Sequence, residues 1–131
     1  MKDLLCDEFQ QAVDDCLLRH RSILDVISKL QESAARINRA VAKAVTGCGC
    51  LTINAEKQKV PSDITLDQLK DYMATHLAGR LCEQCKDTIE AEMGSALFYL
   101  AALCNLLDLN LYDVLIRERK KIGTLGPFNF S

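Results

Sequence analysis

An all-α fold, a single bundle of four to five helices over residues 1–131, is predicted by three observations. Apolar residues recur at steps of three and four along most of the chain, cap and stop residues bracket those stretches, and strand signals are confined to one short piece. With 49% hydrophobic and 26% charged residues, the composition is that of an ordinary globular domain able to bury a core.

Leu5, Phe9, Val13 and Cys16 fall at helical spacing and place a first amphipathic helix over about Asp3 to Leu18, closed by the polar break Arg19-His20-Arg21. Ser22 with Asp25 resembles a capping box that has Asp in place of the usual Glu. Ile23, Ile27, Leu30, Ala34, Ile37, Val41 and Ala44 then mark the apolar stripe of a second helix reaching Val45, with Gly47 as its C-cap. Residues from about 47 to 63 hold Gly49, Asn54 and Pro61 without sustained periodicity. They predict a long cysteine-containing loop between the second and third helices, in which only Leu51 to Ile53 could be extended. Thr65 and Gln68 form another capping-box pattern ahead of Leu66, Leu69 and Met73, a short third helix ending before Gly79.

The long helix, from about Leu81 to Leu107, carries Ile89, Met93, Ala96, Leu97, Leu100, Leu103, Cys104 and Leu107 as one stripe and Phe98, Ala101 and Ala102 on its other side. A helix apolar on most sides belongs in the middle of a bundle or in an oligomer interface, so a homo-oligomer is expected. Its longest apolar run, Ala96 to Leu107, is shorter than the roughly 20 residues a bilayer span needs, and no membrane association is expected. Asn110 caps a last helix through Leu111, Val114, Leu115 and Ile122, and Gly123, Gly126 and Pro127 predict an irregular tail over 123–131.

The formal net charge of −2 offers no electrostatic footprint for nucleic acid. Arg117, Arg119, Lys120 and Lys121 are read as cations closing the last helix, where they suit the negative end of its dipole. No cationic segment followed by an apolar one opens the chain, and an odd count of seven cysteines suggests reduced thiols, so the expected location is cytoplasmic.

Two constellations carry chemistry. On the long helix, Glu92 has Ser95, Ala96, Tyr99 and Leu103 as its helical neighbours, so it projects beside the apolar stripe rather than cleanly into water, where a carboxylate needs a cation or a donor. Arg36 or Arg39 could supply that cation, in which case Glu92 is a structural ion-pair partner; Glu90 is read as solvated. The run from Glu92 through Met93-Gly94-Ser95-Ala96-Leu97-Phe98-Tyr99-Leu100 to Asn105, with Leu109 to Leu115 behind it, resembles the MazG-like family of nucleoside triphosphate pyrophosphohydrolases, over residues 88–122 and more weakly over 22–47. The resemblance implies a MazG-like helical bundle in which Glu-x-x-Asp on the long helix and Glu-x-x-Glu on an earlier one bind Mg²⁺ against a nucleotide's phosphates. It makes Glu92, Glu32 and Ser95 the nucleotide and Mg²⁺ site and gives Glu92 and Glu32 the catalytic role. Ser95 stands where the family has Asp, and Ala35 where it has the second Glu, with Arg36 and Arg39 close by. The expectation is a nucleoside phosphate-binding protein whose Mg²⁺-dependent pyrophosphohydrolase activity is reduced or absent.

The other constellation is Cys48-Gly49-Cys50 after the second helix and Cys82-Glu83-Gln84-Cys85 at the start of the long one. Two close thiol pairs suit a tetrahedral structural Zn²⁺, and a helix N-terminus favours thiolate, which serves metal binding and redox chemistry alike. A zinc-stabilised interaction module, a reversible thiol switch and inert buried thiols are the three readings; Cys6, Cys16 and Cys104 are assigned to the last. His76 could replace one cysteine as ligand. His20 and His76 lack flanking nucleophile motifs, and Gly47-Cys48-Gly49 lacks the Lys and preceding strand of a phosphate loop.

Overall fold

The computed structural model describes residues 4–126. The chain is mostly helical, with α1 (Leu4–Cys16), α2 (Ile23–Lys43), α3 (Leu69–Tyr72), α4 (Glu83–Leu106) and α5 (Leu111–Leu125), and with two short strands, β1 (Leu51–Ile53) and β2 (Leu77–Gly79). The all-α expectation is therefore corrected by an antiparallel two-stranded sheet pairing Leu51 with Gly79, Thr52 with Ala78 and Ile53 with Leu77.

Ser22 caps α2 by accepting from the Leu24 N–H, satisfying one of the donors a helix start leaves free. At its other end α2 does not stop at Gly47. It widens into a π turn, Ala44–Cys48, that closes at Gly49, whose φ of +82° lets its N–H reach the Ala44 carbonyl. Thr65 and Gln68 form the expected capping box, opening a 3₁₀ turn (Leu66–Gln68) that continues into α3. The segment from β1 to β2 is closed by Gln58, whose amide accepts from the Ala74 N–H and donates to the Ala74 carbonyl, both at 2.9 Å.

α4 ends in a Schellman motif. Leu109 N–H bonds to Cys104 O and Asp108 N–H to Asn105 O, with Asp108 rather than glycine in the left-handed conformation at φ 57°. Asn110 then starts α5 by accepting from the Asp113 N–H. α5 continues through Gly123 to Leu125, so the irregular tail expected from 123 is helical in its first residues; 127–131 lie outside the described residues.

α2 and α4 pack antiparallel along their lengths. Val26 meets Ala101 and Ala102 at one end, in a cluster completed by Val13 and Leu17, while Ala44 meets Ile89 and Leu51 at the other. Gln10 on α1 ties that helix to the α4–α5 corner: its amide donates to Asn105 Oδ1 and Leu109 O and accepts from the Leu111 N–H. The stripe expected to bury α4 is covered only in part, because α2 shields one side and α1 and α5 shield the last turns. Ile89, Ala101, Ala102 and Cys104 are buried, whereas Met93, Leu97, Leu100 and Leu107 are exposed. Among the described residues no single helix is long and apolar enough to cross a membrane; α4 and α5 together reach that length but meet at a bend of 107°.

Candidate metal centre and the groove beside it

The π turn and the start of α4 bring the two cysteine pairs to one place. The extra residue per turn swings Cys48 outward from α2, and Gly49 reverses the chain so that Cys50 returns beside it; Cys50 Sγ lies 3.7 Å from the Ala44 carbonyl. Across from them Cys82 is the N-cap of α4, extended at ψ 163°, and its sulfur accepts from the Cys85 N–H at 3.4 Å. The Sγ atoms of Cys48, Cys50, Cys82 and Cys85 all lie within 4.8 Å of one another, and four thiols so placed could hold one metal ion. All four are thiols rather than disulfides, and the Cys48–Cys82 sulfur separation of 3.7 Å is far beyond an S–S bond.

The helix start polarises the set. The Cys85 backbone N–H, then the Cys85 thiol, stabilise the thiolate of Cys82 and bring it down to about 7. Cys85 is pushed up to about 12, first by the hydrogen bond to Cys82 and then by burial. One sulfur is thus ready to be charged near neutrality while its neighbour holds a proton until a cation displaces it. His76 does not join the cluster; its Nε2 lies 3.3 Å from Gln58 Nε2, on the loop side of β2. Of the cysteines read as inert, Cys104 is buried and its thiol is raised by desolvation, whereas Cys16 is exposed.

The acidic residues named from sequence also converge. Glu32, Glu92 and Ser95 line one pocket of about 190 Å³ between α2 and α4, with Lys29, Arg36 and Tyr99. It borders a larger one of about 480 Å³ toward the cysteine end, where Arg39, Lys43 and Thr88 join Glu32, Arg36 and Glu92. Glu32 is held by its own helix: Arg36 donates to Oε1 from Nε at 3.2 Å and Nη2 at 2.9 Å, and Lys29 Nζ stands 3.5 Å from Oε2. The Arg36 hydrogen bond and the Lys29 charge hold the Glu32 carboxyl below its usual range. Arg36 thus turns to Glu32 rather than to Glu92, which raises the guanidinium only through space. Glu92 Oε2 is buried and has no hydrogen-bond partner.

Lys29 and Lys43 went unnoticed in the sequence. The available signal was spacing, since Lys29, Arg36 and Lys43 are seven residues apart and stack on one face of α2. Ala35 also lines the groove and brings no charge to it. No family model, no curated protein and no solved structure matches the chain.

Proposed function

We propose that this chain is a MazG-like helical protein that binds a nucleoside phosphate in the groove between α2 and α4, with a structural zinc ion stapling one end of that groove. The observation that carries the reading is Glu92, whose buried Oε2 lacks a partner while Lys29, Arg36, Arg39 and Lys43 line the same cleft. A buried carboxylate oxygen without a donor is costly, and a bound cation or a donor on a ligand would satisfy it. The four cations suit the phosphates.

Mg²⁺ favours one or two carboxylates completed by phosphate oxygens and water, so Glu92 and Glu32 fit it, and the ion would polarise the phosphoanhydride. Binding is supported more directly than hydrolysis. Ala35 and Ser95 bring no charge where two carboxylates are expected, and Glu32 is already engaged by Arg36 and Lys29. Calorimetric titration with a panel of nucleoside triphosphates, with and without Mg²⁺, is expected to show binding that Arg39→Ala weakens about tenfold, a typical loss for one phosphate-binding cation. Absence of binding by any of them would sink the proposal, and pyrophosphate release no faster than in Glu92→Ala separates binder from enzyme.

The zinc assignment rests on the thiol geometry. A Zn–S bond of about 2.3 Å in a tetrahedron sets sulfurs about 3.8 Å apart, and Cys48 and Cys82 stand at 3.7 Å. With four thiolates the shell is closed and leaves no position for substrate, which favours a structural role. The same cluster favours a second reading, a zinc-stabilised interaction module with no small-molecule ligand, and metal-loaded protein inert toward every nucleotide is its signature.

A further inference from the structure

We propose that the cavity in the excursion between β1 and β2 is a second binding site, which takes the oxyanion end, phosphate or carboxylate, of a small ligand. The cavity measures about 470 Å³, within the range of small-molecule sites, and it shares no lining residue with the groove between α2 and α4. It lies between two ties. The Asn54 N–H donates to the His76 carbonyl at 2.9 Å, one residue beyond the β1–β2 ladder, and farther out Gln58 bridges to both backbone groups of Ala74. Asn54, Gln58 and His76 belong both to these ties and to the lining, so directional bonds hold the opening at either end.

The same bonds decide which nitrogen of His76 carries the proton. Gln58 Oε1 accepts from the Ala74 N–H, which fixes the nitrogen end of the amide, and one hydrogen of Nε2 goes to the Ala74 carbonyl. The other meets His76 Nε2 at 3.3 Å, so in the neutral ring Nε2 accepts and Nδ1 holds the proton. Among the described residues that Nδ1–H has no partner. His76 also has a left-handed backbone, at φ 60°; Asp108, the other such non-glycine residue among those described, is accounted for by the turn that ends α4. A conformation that favours glycine is kept here with an imidazole, as happens where the side chain is used. Lys57 and Lys59 line the same cavity, and neither has a carboxylate within ion-pair distance among the described residues. Glu56, also in the lining, offsets one of the two. Two ammonium groups and a ring N–H are donors without acceptors, whereas an oxyanion only accepts, so the two sets match. Tyr72, 47% exposed in the same lining, offers a flat apolar face to the body of the ligand.

Titrating the isotope-labelled, metal-loaded full chain with phenyl phosphate, benzoate, inorganic phosphate and sodium chloride, followed amide by amide in NMR spectra, tests this apart from the groove, because the two sites report through different residues. Saturable shifts are expected over 54–59 and 74–78, with phenyl phosphate or benzoate binding several-fold tighter than inorganic phosphate. A preference for phenyl phosphate assigns the oxyanion as phosphate, and a preference for benzoate assigns it as carboxylate. Replacing both lysines, Lys57→Gln with Lys59→Gln, is expected to weaken the tighter probe at least about tenfold. His76→Gly, which relieves the backbone while it removes the donor, is expected to weaken it several-fold with the melting temperature kept. If His76→Gly disturbs the loop, the double lysine variant decides. Absence of saturable shifts with every probe, shifts that chloride reproduces, shifts confined to residues lining the α2/α4 groove, or binding indifferent to the loss of both lysines would each overturn the inference.

Discussion

Cys82 shows how much one residue's position can do. As N-cap of α4 it accepts the Cys85 N–H through sulfur, a place usually filled by an oxygen side chain, and it faces Cys48 at 3.7 Å. The capping atom is therefore also one of the four clustered sulfurs, and a metal bound there would be coupled to the start of α4. Cys85→Ser is expected to drop bound zinc from one per chain toward none by metal analysis and to lower the melting temperature by roughly 10 °C, as loss of a few kcal/mol does in a domain of this size. Cys16→Ser, at an exposed site remote from the cluster, is expected to change neither quantity. If the four thiols act instead as a redox switch, peroxide takes two electrons from a thiol pair, the S–S bond forms as both protons leave, and peptide mapping finds Cys48 joined to Cys82. Glu92 is the counterpart in the groove: its neighbours could be named from helical spacing, but that Arg36 turns to Glu32 instead was decided by an i to i+4 pairing on α2.

At the scale of elements, the two-stranded sheet links the loop to the cysteine cluster. Gly79 sits at φ +88°, and a Cβ there would run into the carbonyl oxygen of Cys50. Gly79→Ala is therefore expected to push β1 and Cys50 away from β2, costing about 2 kcal/mol in chemical denaturation and weakening metal affinity in a chelator competition. An unchanged affinity would mean the sheet and the cluster are independent. At the opposite corner, Asn110 both caps α5 and donates to Asp7 on α1. Asn110→Ala is expected to cost about 1–2 kcal/mol, more than Ser22→Ala at the exposed start of α2. β2 left no trace in the sequence because three residues are too few for a period and Gly79 reads as a stop signal. Likewise the π turn was read as the end of a helix at Gly47, since the extra residue is visible only in the hydrogen bond from Gly49 to Ala44.

Among the described residues two small cores lie at opposite ends of the α2/α4 pair, one under α1 and one under the cysteine cluster. They are expected to loosen separately. Chelation should speed amide exchange in 44–53 and 77–89, which surround Ala44, Leu51 and Ile89, while the amides around Val13, Val26 and Ala101 keep their protection until global unfolding. Uniform loss of protection would mean that the metal holds the entire fold.

Periodicity and caps were enough to place α1, α2, α4 and α5 and the capping box ahead of α3, because those signals are local: side chains three and four apart share a face whatever the rest of the chain does. The pairing of cysteines was also legible as two close motifs. What tertiary structure alone decided is which faces meet. Periodicity marked the apolar stripes of α2 and α4 as core, yet within one chain the helices touch along Val26, Ser33 and Ala44 and leave Ile23, Ile27, Met93, Leu97 and Leu100 exposed. A stripe records that a face must be buried but not by whom, since hydrophobic burial has no direction of its own. Convergence of Cys48 and Cys50 with Cys82 and Cys85, across a separation of more than thirty residues, likewise depends on how the intervening sheet closes.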